Sequence, residues 1–237
     1  DSFYEGMTYY GDQTQYYLEA STQQPFDQTL VTAGLSYRYE DLNSRGTDTA
    51  GVSNDGFDNY VYRTPGIFLQ AYHPFLDGEV ELNASVRYDD HNVFGSIVSP
   101  RVNVLWNHTH ELNSRFAVGR GFRAPTSFFE QDHGILNTMR IIREIDQAET
   151  SDNASYALSY AGERFATVAS LNYNRIKNMA LLDSSQCENA GVIGACTGSP
   201  TEQKVTIFTS AQSPVTVTGG DITMTYKITP QLEGSVA

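Results

Sequence analysis

No stretch of the 237 residues is apolar over the roughly 18 positions that a membrane-crossing helix requires, so no transmembrane helix can be drawn. Cations are scarce too: 15 Lys and Arg stand against 28 Asp and Glu, a formal net charge of -13. Phosphate backbones are held by clustered Lys and Arg. The balance therefore argues against nucleic acid as a partner, and against a basic helix lying on a membrane surface. The first residues, Asp1-Ser2-Phe3-Tyr4-Glu5, contain neither a basic nor an apolar stretch, so no signal peptide is visible. The expectation is that it has been removed or that the chain begins inside a longer one. No G-x-S-x-G, Walker A, H-E-x-x-H or C-x-x-C motif occurs, and the His residues are scattered, so catalysis is not expected and no cofactor is implied.

Cysteine is nearly absent. Cys187 and Cys196 share the polar stretch CENAGVIGAC. Two Cys so close in one loop suggest a local disulfide in an oxidising compartment, adding roughly 2–3 kcal/mol by the chain-entropy account. Two free thiols in a reducing compartment are the alternative. A metal site is disfavoured because no His or further Cys lies nearby.

Trp occurs once, yet 15 Tyr and 12 Phe make the chain too aromatic for disorder. Its dominant signal is alternation with period two. In Val80-Glu81-Leu82-Asn83-Ala84-Ser85-Val86-Arg87-Tyr88 the apolar residues point one way and the polar residues the other. Val31 to Tyr39 and Ile222 to Ile228 behave alike, and 97–107, 111–121, 148–161 and 164–175 follow less strictly. Strands of about ten residues, tilted about 45°, have the length that crosses a bilayer and exceed the common 5–6 residues. A mean hydropathy of -0.38 is compatible with this, because only every second residue of such a strand meets lipid.

The connections alternate in length. Short ones fall at 23–28, Leu76-Asp77-Gly78, His108-Thr109-His110, Gly162-Glu163 and Thr229-Pro230-Gln231; long ones at 42–62, 122–147 and 184–202, with a shorter member at 89–96. Short periplasmic turns and long extracellular loops are the arrangement of an outer-membrane barrel. Residues 203–228 are then read as one long strand kinked at Ser213-Pro214. Aromatic residues sit at both strand ends: Tyr37, Tyr39, Tyr60, Tyr62 and Tyr88 near the long loops, and Phe26, Phe75, Trp106, Tyr160, Phe165 and Tyr226 near the short turns. Headgroup girdles are expected there. Arg38, Arg87, Arg101 and Arg115, with Glu40 and Glu81, must face the lumen, because a charge in lipid at the midplane costs about 2–4 kcal/mol.

The expected fold is all-β, an antiparallel transmembrane barrel segment of about ten strands. An open sheet of that size would leave two long edges uncovered, so the whole of 1–237 is expected to be part of a larger barrel.

Ser99-Pro100-Arg101-Val102-Asn103-Val104-Leu105-Trp106, followed by Phe116 to Thr126, resembles the TonB-dependent receptor barrel family. Phe122-Arg123-Ala124-Pro125 is similar to that family's FRAP box. Val86 to His91, Thr150-Ser151-Asp152-Asn153, Leu171-Asn172-Tyr173-Asn174-Arg175 and Gly219-Gly220-Asp221-Ile222 add weaker matches. The resemblance implies a twenty-two-stranded barrel in the outer membrane, filled by an N-terminal plug. It implies uptake of a scarce ligand such as a ferric siderophore, haem or cobalamin, with energy from TonB reaching the plug. Plug, TonB box and final strands are expected to lie outside this chain. A passive porin-like channel and a soluble or surface β-sandwich are the alternatives; the sandwich would turn Val80, Leu82, Ala84, Val86 and Tyr88 toward a core.

Candidate ligand groups follow from the loops. After the FRAP-like box come Glu130, Asp132 and His133; in haem-uptake members a His at this place ligates iron, but the Asn-Pro-Asn-Leu motif that follows it there is missing here. Ser127 to Glu130 fits a capping box, so a short helix, or else an ordinary loop, is expected at that point. Asp89, Asp90 and His91 at a long-loop strand end form a second candidate, for a cation or cationic ligand. The Asp-rich 48–58 resembles a calcium loop only in composition, and His108 and His110 are read as solvated turn residues.

Overall fold

A computed structural model of the chain describes residues 2–4, 7–47, 53–55, 59–126, 140–229 and 231–236. Its strands are β1 (Ser2–Tyr4), β2 (Met7–Phe26), β3 (Thr29–Thr47), β4 (Ser53–Asp55), β5 (Tyr60–Phe75), β6 (Val80–His91), β7 (Gly95–Asn107) and β8 (Leu112–Arg123). They continue with β9 (Arg140–Arg143), β10 (Glu149–Ala161), β11 (Phe165–Lys177), β12 (Ala180–Asn189), β13 (Val192–Ala195), β14 (Gln203–Ser210), β15 (Val215–Thr229) and β16 (Leu232–Val236).

A twelve-stranded antiparallel sheet runs in the order β1-β2-β3-β5-β6-β7-β8-β10-β11-β15-β16, with β4 on β3, and does not close on itself. Two of the twelve, β1 and β4, are three-residue pieces; the other ten are the strands expected from the alternation. Chain neighbours pair because short turns fold each strand back on the last. Asp27 and Asp77 take positive φ (54° and 53°), and Gly78 follows at 93°. Such left-handed residues match the twist of a tight hairpin.

Register sorts the side chains onto two faces. One carries Leu18, Leu35, Ile67, Leu69, Val86, Phe116, Leu171 and Ile222, all exposed. The other carries Arg38, Glu40, Glu81, Arg87, Arg101 and Arg115, as the alternation requires. An uncovered apolar face this wide is not that of a soluble sandwich, whose inner faces bury each other. Among the described residues nothing packs over Val80, Leu82, Ala84, Val86 and Tyr88. The hydrophobic cluster instead sits on the polar face near the long connections, where Leu42, Tyr60 and Tyr62 are packed by Phe94 and Ala124.

Ala84 lies mid-strand on the apolar face, with Ala71 and Val102 as register partners. Ala84→Arg is expected to lower barrel stability in a bilayer by about 2–4 kcal/mol. Arg at the neighbouring Asn83, on the polar face with Tyr72 and Asn103 as register partners, should cost little. Urea unfolding from lipid vesicles measures both, and equal effects would refute the assignment of faces.

The structure corrects three expectations. Residues 203–228 are not one kinked strand. β14 ends at Ser210 and belongs to a second, four-stranded sheet of order β13-β12-β14-β9, while β15 starts afresh at Val215. Pro214 lacks the N–H that a continuous ladder would use, so the kink is a break. The long 184–202 connection is likewise largely the β12–β13 hairpin. Tyr60 and Tyr62 do not belong to a girdle: they are 8 % exposed and lie on the polar face, whereas Tyr37 and Tyr88 lie on the apolar face.

Candidate functional site

The polar face carries a cavity of about 540 Å³ at the end bearing the long connections. β2 and β3 supply Gln13, Gln15, Arg38 and Glu40; β5 supplies Tyr60, Tyr62 and Thr64; β6 supplies Arg87, Asp89 and His91. Phe122, Arg123, Ala124 and Thr126 close it from the FRAP-like segment. Alternate residues of adjacent strands converge here because period two sends them to one face.

Its charges are arranged in pairs. Asp89 is fully buried, and both its oxygens accept from Arg87 Nε, at 2.9 and 2.8 Å. Arg87 Nη2 donates to Ser36 Oγ at 2.7 Å. Gly66, the register partner of Asp89, makes the pair possible: a Cβ there would collide with the Asp89 carboxylate and come within 2.9 Å of Ser36 Oγ. Across the mouth, Gln15 donates to Glu40 at 3.2 Å and Gln13 to the Tyr60 hydroxyl at 3.0 Å.

An aromatic stack holds the rim. Tyr60 and Tyr62 stack at 4.4 Å, and His91 meets Tyr62 edge-on at 4.8 Å. Tyr62 donates to the carbonyl of Pro125 at 2.7 Å, tying the FRAP-like segment to β5. Arg123 reaches the other way. Its Nε and Nη2 donate to the two oxygens of Glu149, at 2.6 and 2.9 Å, and Glu149 Oε1 also accepts from the Ala180 N–H at 2.5 Å. One carboxylate thus joins the end of β8, the start of β10 and the first residue of β12.

The sequence candidates separate. Asp89 and His91 share the polar face; Asp90 is exposed on the other. His91 is 3 % exposed, and its Nδ1 accepts from the N–H groups of Val93 and Phe94 at 3.1 and 3.3 Å. With Asp89 committed to Arg87 and His91 to the backbone, the three form no cation site. Among the described residues no group of three His, Cys, Asp or Glu could hold a metal ion. Glu130, Asp132, His133 and the Ser127 capping box lie outside the described residues. His108 bonds Ser114 at 2.8 Å and stacks on Trp106 rather than converging with His110. Of the two box glycines, only Gly119 is tight, where a Cβ would stand 3.2 Å from the Pro100 carbonyl.

Sequence reasoning passed over Ser36, Gly66, Tyr62 and Glu149 as site residues. The parity that places Arg87 on the polar face also selects Ser36 and Tyr62, but Glu149 meets Arg123 only across a long connection.

The second sheet is built from connections at the same end. Cys187 and Cys196 form a disulfide, at 2.00 Å, that clips the β12–β13 hairpin. β14 pairs antiparallel with β12 and parallel with β9, joining two long connections. Beyond the disulfide, the Glu202 carboxylate accepts from the Thr197 hydroxyl and from the N–H groups of Thr197, Gly198 and Ser199. The Thr197 hydroxyl, then these backbone bonds, hold its carboxyl below the usual Glu range despite some desolvation. A depressed carboxyl contributes order at pH above its unfolded value and loses it as pH falls through the folded value. Amide exchange at Gly198 and Ser199 should therefore be slow at neutral pH and accelerate only below the ordinary carboxylate range, beyond the intrinsic pH trend. Glu202→Gln should show fast exchange throughout, and an unchanged profile would refute the assignment.

The family model for TonB-dependent receptor-like β-barrels matches residues 1–235. No curated protein matches the chain in sequence. Solved structures do match in fold. The siderophore receptor PirA of Pseudomonas aeruginosa superposes with TM-score 0.73 at 17 % identity, over 95 % of this chain and 42 % of that one. A mutant of the ferric enterobactin receptor PfeA of Pseudomonas aeruginosa gives 0.74 at 16 %, over 95 % and 35 %. The FrpB iron transporter of Neisseria meningitidis gives 0.63 at 17 %, over 92 % and 34 %. The chain spans less than half the length of each. On the family match, with a fold to agree, this chain belongs to the TonB-dependent receptor-like β-barrel family.

Proposed function

We propose that the chain forms part of the barrel wall of an outer-membrane receptor that takes up an iron chelate with energy from TonB. The long connections face the cell exterior, and the mouth cavity contacts incoming ligand. A plug completing the site and receiving TonB lies elsewhere in the full-length protein. The observation that carries this reading is the segregation of faces. A continuous apolar face suits lipid, and the opposite face concentrates ion pairs, Tyr and Gln around a cavity bounded by the FRAP-like segment.

The mouth suits a chelate better than a bare ion. Its carboxylates are paired with Arg or Gln, and Tyr and Gln side chains offer donors and rings to a polar, partly aromatic ligand. The iron-related names of the structural neighbours, siderophore receptors and an iron transporter, support the same ligand class. Haem and cobalamin are the other ligands this family reading allows.

Uptake of radiolabelled ferric siderophores by cells carrying the full-length gene tests this. Accumulation lost on deleting either this gene or TonB supports the reading. Accumulation independent of TonB points to a passive channel, and retention of the protein outside the outer membrane overturns it.

A further inference from the structure

The apolar face ends in charge, and the charges are unevenly distributed. On β8, β10 and β11 the apolar-face positions run through Phe116, Val118, Ala154, Tyr156, Leu171 and Tyr173, then reach Arg120, Asp152 and Arg175. Lys177 stands one alternate position beyond Arg175, across from Thr150. Arg120 Nε donates to Asp152 Oδ1 at 2.6 Å, and Lys177 Nζ to Asp152 Oδ2 at 2.8 Å. Arg175 is the direct register partner of Asp152, yet makes no hydrogen bond or ion pair among the described residues. Three cations therefore surround one carboxylate on neighbouring strands of a chain with net charge -13.

Their height is informative. Phe165 and Arg175 are ten residues apart on β11 (175 minus 165), about 33 Å of strand or about 23 Å of height at a tilt of about 45°. That is close to the roughly 25 Å of an outer-membrane apolar band. The cluster thus lies just past the hydrocarbon, beside the headgroups, with Tyr173 and Tyr156 exposed below it. It points away from the lumen and cannot serve the mouth.

We propose that Arg120, Arg175 and Lys177 hold the phosphate of an outer-leaflet lipid headgroup against the barrel wall. Asp152 fixes Arg120 and Lys177 in a fork, and Arg175 supplies the uncommitted donor. Lipid phosphate supplies the charge the patch lacks, at the level where its acyl chains lie on Leu171, Tyr173 and Val118. The inference rests on the membrane-spanning reading above.

The test uses the full-length receptor in detergent, with native mass spectrometry as readout. The probes are lipid A, its dephosphorylated form and inorganic phosphate. The wild type is expected to retain lipid A and not the dephosphorylated lipid. Arg175→Gln should weaken retention about fivefold, and the triple variant Arg120→Gln/Arg175→Gln/Lys177→Gln far more. Equal retention by wild type and triple variant, both recovered as folded outer-membrane barrels, overturns the proposal and leaves the spanning reading standing. Inorganic phosphate bound as strongly as lipid A overturns the lipid assignment. Wild type absent from the outer-membrane fraction overturns both.

Discussion

Asp89→Ala is expected to lower the stability of the barrel by about 3 kcal/mol, and to disorder the cavity wall before the sheet itself opens. The carboxylate is fully buried and takes both bonds of the Arg87 Nε, while Ser36 receives the outer nitrogen. Removing it strands a guanidinium against β3 and β5 with neutral partners only, the hydroxyls of Ser36 and Tyr17. Losing one member of such a pair costs more than losing both, since the survivor keeps its desolvation penalty. Arg87 is 31 % exposed, so water can reach it, which puts the cost at the lower end of the buried range. Asp89→Asn, which keeps a single acceptor, should fall between. Arg87→Ala/Asp89→Ala should be less damaging than Asp89→Ala alone. The check is the denaturation midpoint of the full-length receptor in detergent for each of these variants and for Arg87→Ala. If the double variant equals the sum of the two singles, the pair is not coupled and the account of the mouth fails. Ligand affinity should fall alongside, because a freed Arg87 is able to swing into the cavity that Arg38 and Glu40 share with it.

The sequence made the long strands of the large sheet legible because one physical rule, alternation under a single buried or lipid-facing side, holds along most of them. The same rule could have sorted Asp89 and His91 from Asp90, but adjacency in sequence grouped them instead. Tyr60 and Tyr62 show the limit of reading strand ends. An aromatic at an end suits either a girdle or a lumenal stack, and its face depends on the register with Glu40, which the intervening connection conceals. Residues 203–228 show another limit. Alternation continues across Ser213-Pro214, so nothing local says that β14 leaves the large sheet to pair with β9 and β12. Parallel pairing between two connections is a contact between segments distant in sequence, with no periodic trace in either.

Such distant contacts are also where the second large effect lies. Glu149→Ala is expected to cost about 2 kcal/mol, and most of that cost should appear as loosening of the second sheet rather than of the large one. Glu149 is buried, and its carboxylate satisfies two nitrogens of Arg123 together with the backbone N–H of Ala180, where β12 begins. Losing it leaves the Ala180 N–H without that acceptor at the root of a sheet that meets the rest of the described chain at few points, among them Asn178 to the Ala148 carbonyl at 3.3 Å. The Cys187–Cys196 disulfide and the Glu202 cap hold the far end of that sheet and do nothing for its root. Hydrogen exchange separates the possibilities. Amides of 180–189 and 203–210 should exchange faster in Glu149→Ala, while 150–160 and 165–176 stay protected by their ladders. Arg123→Ala should produce the same pattern more weakly, because Glu149 keeps its bond to Ala180 without the guanidinium. Unchanged exchange over 180–210 would show that Glu149 is not the pin, and that the FRAP-like segment is coupled to the second sheet by another route. If the pattern holds, the arginine of the box acts mechanically. Through Glu149 it fixes the second sheet to the barrel wall, while Tyr62 fixes Pro125 from the other side.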